Sequence, residues 1–401
     1  MKEAYIFNGV RTPIGSLGGS LSFTRTDDLC ALSIRNLMER NPRIDWEEVS
    51  DVIIGCANQS GEDNRNVARM ALLLAGMPVS VPGQTVNRLC ASGLSACADA
   101  ARMIRTEEAE LMVAGGVENM TRGPLVVSKA STAFGRDQQM YDSSFGWRFV
   151  NPIMKEKYGV DAMGETAENV AEKFKISREE QDKFSLWSQE KSAKAEKDGR
   201  LALEIVPVEI PQKKGNPTVF SKDEFAKPGT KMEVLSGLKP AFRKDGTVTA
   251  GNSSGLNDGS AAVLIGSDLA AKKYGITPLA RMVSVGISGV EPRLMGIGPV
   301  EAANRALKKA GLQWKDIDLI ELNEAFAAQS LACLKSWNFD FQDERVNPNG
   351  GAISLGHPLG MSGTRICLSA AISLHLSEKR FALVTMCIGV GQGYALILER
   401  A

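Results

Sequence analysis

Residues Trp46–Asn58 read WEEVSDVIIGCAN, and residues Trp314–Asn323 read WKDIDLIELN. In both, a tryptophan and acidic residues lead into a short apolar run that stops at an asparagine. Such a run is the mark of a buried strand. The segments downstream of the two copies match as well. A Gly-rich turn feeding a helix comes next: RLCASGLSACADAARMI (88–104) in the first half, NGGAISLGHPLGMSGTRICLSAAISL (349–374) in the second. A strand ending in glycines closes each set, LMVAGGVE (111–118) and ALVTMCIGVGQG (382–393). Three elements repeated in order, at a period far above solenoid size, predict a duplicated unit. Strands alternating with helices predict an α/β fold with a parallel sheet covered on both faces, in two similar doubly wound domains packed face to face.

Working outward, Ala4–Val10 is expected to be a strand, Thr26–Arg40 a helix, and Asn66–Leu74 a helix ending at Gly76 and Pro78. Between the copies the chain changes character. Residues 121–254 carry scattered aromatics and methionines, then charged helices over Met163–Phe174 and Ser177–Asp198. Ser177 and Glu180 form a capping box at the start of the second. Pro207–Lys231 is polar, holds Pro, Gly and Lys, and is expected to be loop. An insertion of this length is expected to be a lid-like substrate domain or an oligomer surface. The resulting division is 1–120 plus about 255–279 for an N-terminal domain, 121–254 for a loop domain, and 280–401 for a C-terminal domain.

Bulk properties narrow the function. The 401 residues are 43% apolar and 23% charged, with 47 basic and 47 acidic side chains, so no global field draws in nucleic acid or anionic lipid. Seven cysteines without a CxxC pair argue against a disulfide framework or zinc ribbon and for a reducing compartment. No apolar run is long enough for a membrane span, and neither terminus reads as a targeting signal, so a cytoplasmic location is expected.

The chemistry gathers in four stretches. Cys90 sits at a turn before a helix, among small residues, where the free N–H groups of a helix N-terminus favour thiolate. Asn323-Glu324-Ala325-Phe326-Ala327 follows a strand. His357 lies in a glycine-flanked turn with Pro358 after it, while the other histidine, His375, lies on a charged helix and is expected at the surface. Cys387 ends a strand, and the glycines after it expose N–H groups that can hold an oxyanion. A nucleophilic Cys90 with His357 as its base is one reading; a buried inert cysteine is the other. Cys387 can act as an acid/base toward a weakly acidic carbon. A zinc site from Cys90, His357 and Cys387 is disfavoured, because structural ligands come in closely spaced pairs.

The motifs NRLCASG (87–93), GNSSGLNDG (251–259), NEAFAAQ (323–329), GGAISLGHPLGMSG (350–363) and CIGVGQG (387–393), in this order, resemble the thiolase family over essentially the whole chain. The resemblance implies acyl transfer between CoA thioesters, with CoA as a substrate and neither metal nor cofactor, in a homodimer or homotetramer. It implies Cys90 as the acyl-accepting nucleophile, and His357 as its activator. His357 with a water held by Asn323 would line one oxyanion hole. Cys387 would be the acid/base at the acetyl methyl, and the N–H groups of Cys90 and Gly389 a second oxyanion hole. Ser254 would meet the pantetheine arm and Lys227 the CoA phosphates, although that position is more often Arg. Met163, Phe242 and Phe326 would shape the acyl and pantetheine tunnel.

Within the family, the short-chain members usually place His before the Met of the MG-x-TAEN stretch. Here that position is Ala162, which widens the acyl pocket. CANQSGEDNRNVARMALLLAG (56–76) and WRFVNPIMKEKYGVD (147–161) resemble the branch that cleaves 3-oxoadipyl-CoA in the degradation of aromatic compounds. Gly164 departs from the Pro expected there. A terminal carboxylate on the acyl chain needs a cation or several N–H donors, and Arg148, Lys155 and Lys157 are candidates. A general 3-ketoacyl-CoA or acetoacetyl-CoA thiolase, and a non-catalytic acyl-CoA-binding protein on the same scaffold, are the alternatives.

Overall fold

The computed structural model describes residues 2–401. Both copies of the tryptophan motif open on a single 3-10 turn, Trp46–Glu48 and Trp314–Asp316, and run into strands Asp51–Gly55 and Leu319–Leu322. Each of these strands pairs parallel with the glycine-ended strand of its own copy, Leu111–Asn119 or Phe381–Ile388. Those in turn pair antiparallel with Asn257–Ser267 and Gln392–Arg400. Ala4–Arg11 completes the first set and Ala280–Gly289 the second, again antiparallel. The two halves therefore repeat one mixed pairing pattern, not the parallel sheet expected from strand–helix alternation. In the second half Gln392–Arg400 returns from Phe381–Ile388 by a tight turn with no crossover helix, and so pairs antiparallel; in the first half Asn257–Ser267 takes the same place after the insertion. The halves join edge to edge through Tyr5 opposite Arg281 and Ile6 opposite Ala280, and Gly83–Val86 forms the outer edge of the first half.

Side-chain alternation explains how the halves stack. In Leu111–Asn119, Met112 and Ala114 point into one core, and Leu111, Val113 and Val117 into another. In the second half Ala382, Val384 and Met386 share the first core, whereas Leu383, Ala395 and Ile397 face a third. The shared core is filled by two helices, Ser92–Arg105 and Leu359–His375. Helices Thr26–Arg40 and Val67–Ala75 cover the outer face of the first half, and Gly298–Ala310 and Ala327–Ser336 that of the second. Strands buried on both faces show no polar alternation, which is why they read as continuous apolar runs.

The two central helices meet at backbone distance because glycines line the crossing. A Cβ on Gly93 would stand 2.5 Å from the Gly360 carbonyl oxygen, and one on Gly363 would stand 2.3 Å from Leu94 N. Around this crossing Leu94, Ile366 and Leu368 are buried. Each such side chain contributes about 1.5–3 kcal/mol on leaving water. Cys90 precedes one of these helices and His357 the other.

The insertion holds helices Pro152–Tyr158, Met163–Phe174 and Arg178–Lys197, the last opening on the expected Ser177–Glu180 capping box. One expectation there needs correction. Pro207–Lys231 is not all loop, because Val208–Ile210 and Thr218–Phe220 pair as a short antiparallel hairpin.

Candidate active site

The turn at Cys90 is built by its neighbours. Leu89 adopts φ +47°, in the left-handed region that non-glycine residues rarely enter. Ser92 holds it there: its hydroxyl donates to the Leu89 carbonyl (2.7 Å) and accepts from Arg88 N (2.9 Å). Asn87 adds a second brace, accepting from Leu89 N (2.8 Å) and donating to the Ala57 carbonyl (3.0 Å). Cys90 is thereby presented half-buried, just before the helix that begins at Ser92.

The backbone N–H groups of Gly389 and of Cys90 itself lie close enough to the Cys90 sulfur to favour its thiolate. These are the two donors expected from the sequence to form an oxyanion hole. The expected thiolate, however, is not the resting form. Burial outweighs both donors and pushes the thiol up to about 11. A helix terminus contributes about 1 kcal/mol to an anion at most surface sites, less than desolvation removes here.

Cys387 is buried near the end of its strand, among Ala325, Phe326, Met295 and Val248. Its thiol is held well above the ordinary range, first by burial and then by the nearby Cys90 and Cys333. The loop that returns the chain runs Gly389-Val390-Gly391, with Val390 at φ +63° and Gly391 at φ +81°. That turn aims the Gly389 N–H back at Cys90.

His357 is also buried. Its backbone N–H donates to Asn257 Oδ1 (2.8 Å), and Nδ1 lies 2.6 Å from Ser362 Oγ. The Ser362 hydroxyl spends its only proton on the Pro358 carbonyl (2.8 Å). Ser362 must therefore accept from Nδ1–H, which leaves Nε2 without a hydrogen and able to accept one. Nε2 lies 3.4 Å from Asn323 Nδ2. Burial first, and the Arg365 charge second, lower the imidazole to about 3, so it rests neutral. Asn323 is fixed by its own N–H on the Thr385 carbonyl (3.0 Å), two residues before Cys387. Its Oδ1 is buried and unpartnered among the described residues.

Two buried carboxylates tie these loops together, and neither was assigned a role from the sequence. Glu118 accepts from Ala57 N (2.9 Å), Asn58 N (3.0 Å) and Gly360 N (2.9 Å), so it joins the loop that braces Asn87 to the helix after His357. Burial raises it to about 7 against those three N–H donors. Glu324 accepts from Asn347 Nδ2 (2.7 Å), Ser188 Oγ (2.6 Å) and Ile353 N (3.2 Å), binding the Asn323 motif to the glycine-rich loop and the insertion. Both acids lie inside motifs visible in the sequence (GGVENM and NEAF). Their partners are distant in the chain, so no local spacing could reveal them.

The remaining residues named from the sequence flank this cluster. Ser254 N donates to the Ala325 carbonyl (2.9 Å), and Phe326 meets Phe242 edge to face at 6.3 Å. Phe242 lies on Gly164, where a Cβ would stand 2.1 Å from the ring; this accounts for the small residue at that position. Met163 is exposed, with its sulfur 3.8 Å from where a Cβ on Gly389 would stand. Lys227 is exposed, its Nζ 5.8 Å from the Phe225 ring centroid and its N–H on Gln189 Oε1. The proposed carboxylate readers lie apart. Arg148 turns to the Ser143 carbonyl (3.1 Å), Lys155 and Lys157 are exposed, and none lines the cleft beside Met163. His375 is exposed, as expected.

A half-buried thiol with two backbone N–H groups near it, a second buried thiol beside it, and a neutral imidazole with an amide nitrogen near its Nε2 together suit acyl transfer. Comparison with known proteins agrees. Residues 4–268 match the thiolase N-terminal domain and residues 276–400 the thiolase C-terminal domain.

The chain belongs to the thiolase family.

It is 58% identical over 400 residues to the 3-oxoadipyl-CoA/3-oxo-5,6-dehydrosuberyl-CoA thiolase of Escherichia coli K12, covering 100% of both chains. It is 55% identical over 399 residues to the beta-ketoadipyl-CoA thiolase of Pseudomonas knackmussii, covering 100% of this chain and 99% of the relative. The crystal structure of the Bacillus anthracis acetyl-CoA acetyltransferase superposes with a TM-score of 0.92 at 40% identity, over 100% of this thiolase and 99% of that chain. No helix of the thiolase described here is long and apolar enough to cross a membrane.

Proposed function

We propose that this thiolase cleaves 3-oxoadipyl-CoA with free CoA to give succinyl-CoA and acetyl-CoA. The observation that carries the reading is end-to-end identity above half with thiolases named for that substrate, in a chain that holds every reactive side chain of the site. In this account His357 Nε2 takes the Cys90 proton and the thiolate attacks the 3-oxo carbonyl. The N–H groups of Cys90 and Gly389 receive the resulting oxyanion. As the carbonyl re-forms, the bond between C2 and C3 breaks and its electron pair passes to the acetyl-CoA enolate. Asn323 and His357 stabilise that enolate, and the Cys387 thiol supplies a proton to its carbon. A second CoA gives its thiol proton to the Cys387 thiolate and attacks the Cys90 thioester; succinyl-CoA leaves, and the departing Cys90 thiolate recovers its proton from His357, which restores the free enzyme. Such a sequence is ping-pong.

The pairing pattern and family boundaries support two core domains interrupted by a substrate-binding insertion at 121–254. Ser254 is assigned to the pantetheine arm, Lys227 to the CoA phosphates, and Met163, Phe242 and Phe326 to the tunnel walls. The working form is a homodimer or homotetramer in the cytoplasm. A panel of 3-oxoacyl-CoA esters tests the reading. Preference for 3-oxoadipyl-CoA over acetoacetyl-CoA and over the uncharged 3-oxohexanoyl-CoA supports it, and a strong preference for acetoacetyl-CoA overturns it.

A further inference from the structure

The cleft beside Met163 carries a cation that the mechanism leaves unused. Its walls include Trp147, Tyr158, Asp161, Met163, Arg293 and Val390. Val390 follows Gly389 directly, and Met163 sulfur lies 3.8 Å from where a Gly389 Cβ would stand. The cleft thus begins one residue beyond Gly389, in the loop that follows Cys387. Arg293 lines the same cleft.

Arg293 is held at one end only. Its Nε donates to Asp161 Oδ2 (2.8 Å), and Asp161 is itself fixed by Asn169 Nδ2 (2.9 Å) and through its carbonyl by Trp147 Nε1 (3.2 Å). Asn169 Nδ2 also donates to the Arg293 carbonyl (3.2 Å). The side chain lies along Gly159, where a Cβ would stand 3.6 Å from Arg293 Cδ. These contacts orient the guanidinium, yet its two Nη groups have no protein partner among the described residues, and the side chain is 55% exposed. A guanidinium fixed through Nε offers its Nη edge as a planar fork for a carboxylate. The neighbouring Arg243 is already engaged by Glu165 and Asn169.

We propose that Arg293 receives the distal carboxylate of the 3-oxoadipyl chain, and of the succinyl group it leaves on Cys90, while Trp147 and Tyr158 cover the methylenes. Arg293 then sets specificity for a dicarboxylic acyl chain and takes no part in bond making. The inference rests on the 3-oxoadipyl reading above.

The test compares kcat/KM for 3-oxoadipyl-CoA and 3-oxohexanoyl-CoA in the wild type, Arg293→Gln and Arg293→Lys. Loss of a hydrogen-bonded charge partner predicts a fall of about tenfold to a hundredfold for Arg293→Gln on 3-oxoadipyl-CoA, with 3-oxohexanoyl-CoA within about twofold of wild type. Arg293→Lys, which keeps the charge and loses the fork, falls between; it also decides the matter if the Gln variant folds poorly. Equal losses on both substrates, or no loss on either, overturn the proposal. A wild type that prefers 3-oxoadipyl-CoA while Arg293→Gln leaves that preference intact overturns the role of Arg293 alone. A wild type with no preference overturns the substrate reading and this proposal together.

Discussion

Ser362 Oγ lies 2.6 Å from His357 Nδ1 and has already given its proton to the Pro358 carbonyl, so it fixes which ring nitrogen carries hydrogen. The tautomer with a bare Nε2 is the one that can take a proton from Cys90. Ser362→Ala removes that constraint without touching a reacting atom. The expected result is a fall in kcat of about tenfold to a hundredfold, the worth of one to two hydrogen bonds expressed in the barrier. KM for CoA is expected to change little. A fall confined to KM contradicts the positioning role.

Cys387 and Cys90 divide the work in this account, and the division can be separated experimentally. Cys387→Ala is expected to slow thiolysis by about 10²–10⁴-fold, the usual worth of a general acid or base. The same variant should still take up label on Cys90 from labelled succinyl-CoA, because exchange of one thioester for another breaks no carbon–carbon bond and protonates no carbon. Exchange of the acetyl-CoA methyl protons with solvent deuterium should vanish. Continued exchange at the wild-type rate contradicts the assignment.

The buried imidazole makes a prediction about stability and pH. His357 is lowered to about 3 in the folded chain and returns to the ordinary 6.5 when unfolded. Between those values the unfolded chain binds one more proton at this site, so its contribution to stability is full above 6.5 and is lost as pH falls toward 3. The slope from one such site is about 1.4 kcal/mol per pH unit. Glu118 and Glu321, raised by burial to about 7, act oppositely: the stability they favour is present at acid pH and is lost as pH rises through 7. Urea unfolding of wild type and His357→Asn across pH 4 to 6.5 isolates the histidine. The variant should lose stability less steeply on acidification, and an unchanged slope contradicts a neutral buried His357.

Much of the fold could be read from the chain, for a physical reason. Asp51–Gly55 and Leu319–Leu322 are buried on both faces, so each stands out as an unbroken apolar run after its tryptophan turn. The hairpin of Val208–Ile210 and Thr218–Phe220 was hidden because three-residue strands flanked by Pro and Lys carry no period. At the site, residue types at turns pointed to Cys90, Asn323, His357 and Cys387; Asn323 Nδ2 lies 3.4 Å from His357 Nε2, and Cys387 lies near Cys90. The protonation state of Cys90 was not legible, because local helix geometry is visible in sequence and burial by remote segments is not. Ser362, Glu118 and Arg293 act on loops far away or across a fold-dependent turn, and no spacing rule exposes such partners.

The claim everything rests on is that the acyl group passes through the Cys90 sulfur. The most direct measurement is mass spectrometry of peptides from enzyme mixed with 3-oxoadipyl-CoA, without free CoA, and quenched in acid. The expected result is a succinyl adduct on the peptide that contains Cys90, discharged when CoA is added before the quench and absent from Cys90→Ala. An adduct on Cys387 instead, or turnover by Cys90→Ala at the wild-type rate, contradicts it.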